Sequence, residues 1–299
     1  MGKHIVVIGG GIIGLSAAVE CAGRGHSVTV IESAPSRRGA SFGNAGMIVP
    51  SHSTPLAAPG MVALGLKWMW NPESPFYIQP RFDWDLWTWA WHFYRASTRA
   101  HVQRSAPLLR DLHLASRAIY AQRAESGEDF GLTQRGLLML CKTSRALDEE
   151  AHAATDARKL GLTAEVLDES SLAALEPGVT MDVAGAVYFP QDCHLRPERY
   201  VAMLENVLRA AGGELRFGPA VTGWRREGSR ISAIQTTEGD VAGDEFVLAS
   251  GAWSPCLARG LGLRLPMQAG KGYSVTVPQS IELPRICSCL LYTSPSPRD

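Results

Sequence analysis

The stretch HIVVIGGGIIG, residues His4 to Gly14, restricts the fold of this chain more than any other. His4 to Ile8 is a continuous apolar run, the pattern of a parallel strand covered on both faces. Gly9-Gly10-Gly11-Ile12-Ile13-Gly14 follows at once and matches G-x-G-x-x-G. A helix is expected from there to Gly23 or Gly25, and a second strand, Ser27 to Ile31, ends in an acid, Glu32. Each part has a physical job: Gly9 permits the tight turn, Gly11 lets backbone approach a pyrophosphate, and Gly14 allows close packing of helix on strand. The N–H groups at the helix start, around Ile12 and Ile13, receive phosphates, and Glu32 is placed to accept hydrogen bonds from a ribose. Strand, helix, strand and terminal acid together predict a dinucleotide site.

The fingerprint does not separate NAD from FAD. Gly39 to Met47 is a run of small residues where an NAD domain continues into another helix and strand. Small residues let main chain press against a flat ring system; the bland reading is a surface loop. Asp244 to Gly251 is a further apolar strand that ends in glycine and returns the chain to the nucleotide-binding sheet. Before it, Arg196 to Gly213 reads as a helix with Pro197 in its first turn and with Tyr200, Leu204, Val207, Leu208 and Ala211 on one face. Short strands follow at Glu214 to Phe217, Ala220 to Arg226 and Ile231 to Thr237. Between about Ser51 and Leu195 the alternation is lost. Strands at Gly136 to Cys141 and Ala184 to Phe189 mix with helices over about Ala106 to Ala124 and Ser144 to Leu160.

Lys+Arg and Asp+Glu both total 29, so no basic excess points to nucleic acid. The doublets Arg37-Arg38 and Arg225-Arg226 are too short to change that. Six scattered cysteines are no disulfide framework, and with no signal-peptide pattern and no long apolar run we expect a cytoplasmic protein. The histidines lack H-E-x-x-H spacing, and Asp192-Cys193-His194 sets neighbours on opposite sides of an extended chain. No metal site is expected, and His194 reads as a surface or pocket-edge residue. Six of the eight tryptophans fall between Trp68 and Trp91. Trp84, Trp87, Trp91 and Tyr94 share a helical face, with Trp89 pointing elsewhere; core packing is the favoured reading, membrane or partner contact the other.

The fingerprint, SFGNAG (Ser41 to Gly46), PLAAPG (Pro55 to Gly60), LKWMW (Leu66 to Trp70), ASGAWSP (Ala249 to Pro255) and KGYS (Lys271 to Ser274) together resemble bacterial D-amino-acid dehydrogenases of the FAD-dependent amino-acid oxidase superfamily. The fold this implies is α/β. A Rossmann-type FAD-binding domain of glutathione-reductase type (1–50 and 196–265) accompanies an α+β substrate domain (51–195 and 266–288). The resemblance carries FAD contacts onto Gly9, Gly11, Ile12, Ile13, Gly14, Glu32, Ser41, Asn44, Ala45, Gly46, Gly251 and Trp253. It adds Val221, whose backbone meets the adenine in that family; an ordinary strand valine is the alternative.

The reaction implied is oxidative deamination of a D-amino acid: hydride leaves Cα for flavin N5, and the imine is hydrolysed to a 2-oxo acid and ammonia. Electrons pass to a quinone or carrier, which brings in peripheral contact with the inner membrane. His52 and Tyr273 are the substrate-pocket candidates, set against a loop histidine and a packed strand tyrosine. The residue at His52 suggests D-proline-like imino acids. A glycine/sarcosine-type oxidase using oxygen is one alternative, and a non-catalytic flavin-binding subunit of a dehydrogenase complex another. Finally, Cys289 to Asp299 can be encoded by a string matching the transposase adapter of short-read sequencing libraries. We expect the native chain to stop at about Cys287 or Ser288, Cys287-Ser-Cys289 to be no metal site, and the carboxylate-gripping arginine of such enzymes to lie beyond.

Overall fold

The computed structural model describes residues 2–36, 39–69, 78–79, 81–275 and 283–291. Arg37-Arg38, the end of LKWMW at Trp70 and the tail 292–299 lie outside them. In chain order the elements begin β1 (His4–Ile8), α1 (Ile12–Gly23), β2 (Ser27–Glu32), β3 (Met47–Ile48), α2 (Met61–Met69), α3 (Trp84–Ala96) and α4 (Arg99–Glu125). Next come β4 (Leu137–Cys141), α5 (Ser144–Lys159), β5 (Glu165–Leu167), α6 (Glu169–Leu175), β6 (Gly185–Phe189), β7 (Cys193–His194) and α7 (Pro197–Ala210). The last are β8 (Glu214–Phe217), β9 (Val221–Glu227), β10 (Arg230–Thr236), β11 (Gly239–Ala242), β12 (Glu245–Leu248), α8 (Ser254–Arg259) and β13 (Cys287–Leu291).

Two compact units result. The first holds the described residues of Met1–Ala45, Asp129–Gly131 and Arg196–Val275. Its main sheet is parallel, in the order β12-β1-β2-β8, so the strand before the fingerprint lies between the acid-ended strand and the returning one. Val6 and Ile8 of β1 point into a cluster with Ile31, Ile234 and Val241, supplied partly by the antiparallel meander β11-β10-β9. The opposite face takes α1, whose Leu15 and Ala18 are fully buried. A strand apolar and buried from Ile5 to Ile8 is thus explained by two covers. Helix α7 buries Tyr200, Val201, Leu204 and Leu208. Glu205 joins that face and pairs with Arg209 at 3.4 Å, whereas Ala211, expected on it, is exposed past the helix end.

The second unit holds Gly46–Glu128, Leu132–Leu195 and, of the described residues after Val275, 283–291. Its sheet runs β13-β4-β6-β5. Leu137 and Met139 pack with Ala154 and Ala157 of α5, while Leu138 and Leu140 pack with Leu172 of α6. The unbroken run LLMLC is therefore a strand covered on both faces. Residues 46–50 fall in this unit because Met47 and Ile48 pair antiparallel with His194 and Cys193.

Helix α4 begins seven residues before the expected start. Thr98 caps it by accepting from His101 N, and Pro107 sits inside the helix rather than in its first turn. A proline there removes one bond of a 27-residue ladder, and the capped segment before it holds the helix through. Core packing of the tryptophan face is overturned within the described chain. Helix α3 is capped by Asp83, but Trp84, Trp87, Trp91 and Tyr94 are all more than half exposed. Trp89 does point elsewhere, half-buried and stacked on Phe93 at 5.2 Å.

Cys287 and Cys289 of β13 both pack against the α5-side cluster, where burial pushes their thiols up. The approach to β13 is held by Glu176, whose buried carboxylate accepts from Ile286 N at 2.7 Å and Arg285 N at 3.0 Å. Replacing Glu176 with alanine strands these donors and should cost about 1–3 kcal/mol in a denaturant titration. Glu176→Gln, which keeps an acceptor, should lose less.

Candidate functional site

The first unit builds its site on the β1–α1 turn. Gly9 has φ +111°, and a Cβ there would lie 2.4 Å from the Ala249 carbonyl, so the returning strand's end presses on the turn. A Cβ at Gly14 would lie 1.9 Å from the Gly9 carbonyl, which leaves glycine as the residue that fits. Glu32, at the end of β2, accepts from Gly10 N at 2.8 Å through Oε2 and from Ala34 N at 2.9 Å through Oε1. Its carboxylate fixes the glycine turn and retains acceptor capacity on each oxygen for a sugar hydroxyl. Ser41 Oγ accepts from Ile12 N at 2.9 Å. The N–H of Ile12 is thus already served, which corrects the expectation that it is free. Those of Gly11 and Ile13 donate to nothing among the described residues. With the helix dipole behind them, they suit an anionic group.

Around this turn, Asn44 Nδ2 donates to the Ala40 carbonyl at 3.0 Å and Ser274 Oγ to the Gly43 carbonyl at 3.1 Å, tying the small-residue loop to the KGYS segment. Ala45 is exposed. Gly251, at φ +55°, opens a single 3-10 turn, Gly251–Trp253, in which Trp253 is 74% exposed. Val221 starts β9 with its side chain against the β1 cluster. Tyr273 is 86% exposed, with Lys271 Nζ 5.0 Å from its ring centre, so it is no packed strand tyrosine.

His52 and Gly46 belong to the second unit. Gly46, at φ +65°, accepts from Leu195 N at 2.9 Å. The turn bearing His52 is held by the bond from His52 N to the Val49 carbonyl at 3.0 Å and by buried Ser53 Oγ on the Pro50 carbonyl at 2.6 Å. His52 Nδ1 lies 2.8 Å from Ser51 Oγ, and its ring meets Phe189 edge-on at 6.1 Å between centres. The residue as a whole remains exposed. Desolvation by burial, and then the neighbouring His113, lower its pKa and favour the neutral form.

Ser51 is in turn held by Asp192, whose Oδ1 accepts from Ser51 N at 3.1 Å and whose Oδ2 accepts from Ser51 Oγ. Asp192 is fully buried, and burial raises its carboxyl to about 6, against the opposing pull of the Ser51 hydrogen bonds and Arg117.

A family model described as FAD dependent oxidoreductase matches residues 4–298. The chain belongs to that family. The D-amino acid dehydrogenase of Granulibacter bethesdensis is 30% identical over 281 residues, covering 92% of this chain and 67% of that one. That of Cereibacter sphaeroides is 34% identical over 280 residues, covering 92% and 64%. The chain therefore spans about two thirds of the length of these relatives. Among solved structures, glycine oxidase from Geobacillus kaustophilus superposes with a TM-score of 0.64 at 25% identity, over 88% of this chain and 59% of that one. L-proline dehydrogenase from P. horikoshii, at 20% identity and a TM-score of 0.56, shares the fold.

FAD is thus the dinucleotide of the first unit, which resolves the choice against NAD. The glycine turn, the two N–H groups at the start of α1 and Glu32 fit it. The structure brings Gly9, Gly11, Ile12, Ile13, Gly14, Glu32 and Ser41 together directly, and groups Asn44, Ala45, Val221, Gly251, Trp253 and Tyr273 in the same unit. His194, expected at the surface or a pocket edge, is half-buried on β7; its Nδ1 is buried without a partner among the described residues, and burial lowers its pKa. No cluster of His, Cys, Asp and Glu able to hold a metal occurs among the described residues. Asp192 is the residue sequence reasoning missed as a functional group. Its neighbours in Asp192-Cys193-His194 drew attention as metal ligands, and its partner lies 141 positions away.

A buried aspartate with a raised pKa binds its proton more tightly in the folded state. Its stabilisation is full below the unfolded value near 4 and is lost as pH rises through about 6. The stability of the wild type relative to Asp192→Asn should therefore fall by about 2.5 kcal/mol between pH 4 and pH 7, read from urea titrations of both proteins.

Proposed function

We propose that this chain is the FAD-binding and part of the substrate-binding portion of an enzyme that oxidatively deaminates D-amino acids. The observation that carries the reading is the glycine turn closed by Glu32 and Ser41, in a chain whose relatives bear the name D-amino acid dehydrogenase over 92% of its length. The N–H groups of Gly11 and Ile13 receive the pyrophosphate, Glu32 the ribose and Val221 the adenine. Ser41, Asn44, Ala45 and Gly46 line the ring system with backbone, and Gly251 and Trp253 complete the cradle.

Bound FAD supplies the acceptor for the hydride that leaves the substrate Cα. The chain orients the substrate and takes up a proton. An amino acid arrives as an ammonium, whose nitrogen has no lone pair to drive the hydride out. His52, neutral by virtue of its surroundings, accepts that proton, and Tyr273 contacts the substrate. The product imine is hydrolysed to a 2-oxo acid and ammonia; a D-proline-like imino acid fits the same chemistry.

The chain purified with FAD should show flavin absorption that bleaches on anaerobic addition of D-alanine or D-proline and not of their L-forms. Bound flavin that stays oxidised with every D-amino acid tried would remove the substrate class. A glycine/sarcosine-type oxidase is the second reading, supported by the superposition on glycine oxidase; peroxide released in step with oxygen uptake would favour it.

For the electrons we propose a quinone or carrier as acceptor, in a cytoplasmic protein that touches the inner membrane through the exposed aromatic face of α3. No described helix is long and apolar enough to cross a membrane, so contact would be peripheral, with Trp84, Trp87 and Trp91 at the interface. Vesicles of mixed zwitterionic and anionic phospholipid should co-sediment the protein. A Trp87→Ser, Trp91→Ser double variant should bind them about tenfold more weakly or worse; equal binding would dismiss this face.

A further inference from the structure

A serine hydroxyl carries one proton, and in this structure its destination is decided. Asp192 is fully buried and takes both the N–H and the O–H of Ser51, one on each carboxylate oxygen. An ionised carboxylate only accepts hydrogen bonds, so the hydroxyl proton of Ser51 is committed to it. Ser51 Oγ then faces His52 Nδ1, 2.8 Å away, with lone pairs alone. That contact is a hydrogen bond only when Nδ1 carries the ring proton. The neutral ring is thereby fixed as the Nδ1–H tautomer, with its lone pair on Nε2, which has no partner among the described residues.

We propose that Asp192 is a positioning residue that acts through Ser51 to hold His52 in the Nδ1–H tautomer, which makes Nε2 the acceptor for the ammonium proton of the substrate. The proposal rests on the deamination reading and deepens it. In the step, the substrate N–H bond breaks and an Nε2–H bond forms. The positive charge passes from ammonium to imidazolium, the lone pair remains on the amine nitrogen, and the proton leaves to solvent. No electron is transferred. Asp192 itself stays ionised throughout and touches no reacting atom.

The supports around the pair hold it in place. The His52 backbone is pinned to Val49, the Asp192 carbonyl accepts from Gly136 N at 3.0 Å, and Phe189 lies against the imidazole edge. The titratable and charged groups facing the pair are His113 and Arg117 of α4, Cys193 of β7 and Cys287 of β13. The first lowers the His52 pKa and Arg117 favours the ionised Asp192, so both sustain the neutral imidazole beside an ionised carboxylate.

The test is a long-range proton–nitrogen correlation spectrum of the uniformly labelled, FAD-loaded full chain at pH 8, with the His52 signals assigned from a His52→Gln spectrum. Wild type should show Nδ1 protonated and Nε2 bare. In Asp192→Asn the amide can donate to Ser51 Oγ, which frees the hydroxyl proton for His52 Nδ1. That variant and Ser51→Ala should move His52 to the Nε2–H form, while Ser51→Thr should keep the wild-type tautomer. Unchanged signals from the other seven histidines show that a variant is folded. An Nε2–H ring in wild type, or a tautomer indifferent to both variants, overturns the positioning role whatever the enzyme does.

The second arm is kcat/KM for D-alanine or D-proline against pH. Asp192→Asn should lose at least about tenfold near pH 7 and converge on wild type at high pH, where the amine deprotonates unaided. A loss constant across pH would overturn the acceptor role of Nε2. Absence of turnover in wild type, beside the stated tautomer, would remove the deamination reading and leave the Asp192–Ser51–His52 assignment standing.

Discussion

The contact between Gly14 and the carbonyl of Gly9 is the constraint from which the first unit grows. With no side chain at position 14, α1 lies directly on the end of its own strand. That approach sets the height of the helix start and so the position of the Gly11 and Ile13 N–H groups. It also makes β1 the strand against which others register: β2 and β12 flank it in parallel, and β2 brings Glu32 level with the turn. Any larger residue at position 14 would move the helix and every group whose place depends on it.

Three acids reuse one device in different places. Glu32 holds Gly10, Asp192 holds Ser51, and Glu176 holds Ile286, each carboxylate accepting a backbone N–H from a segment remote in sequence. A carboxylate offers two oxygens and several lone pairs, so one side chain can fix a loop at two points. Charge-assisted bonds of this kind are stronger than neutral ones, which suits loops that lack a ladder of their own. At Asp192 the device has an added consequence, because one donor is a hydroxyl with a second neighbour.

What the sequence disclosed follows from the range of the physics involved. Strands covered on both faces, β1 and β4, announce themselves as unbroken apolar runs, and α7 shows its buried face by spacing. The glycine turn is a local motif whose residues touch one another. Helix α4 starts before its expected beginning at about Ala106 because the cap at Thr98 precedes it and the helix runs through Pro107. The aromatic face of α3 was readable as a face, but burial depends on what the rest of the fold sets against it. Asp192 was silent because its meaning lies in Ser51, far along the chain.

FAD and the proposed substrate make different physical demands on the chain. FAD needs rigid backbone and a helix dipole, which short-range sequence supplies. A D-amino acid poses a protonation problem. An alkyl ammonium with a pKa of about 10 is deprotonated about once in a thousand at pH 7, a penalty of about 4 kcal/mol on any step that needs the free amine. Under the proposed reading, a neutral imidazole whose bare nitrogen is fixed in advance does not remove that penalty; it gives the proton a short path off the substrate and on to solvent. The ring must be partly buried to stay neutral and partly open to exchange its proton, and His52 combines both conditions.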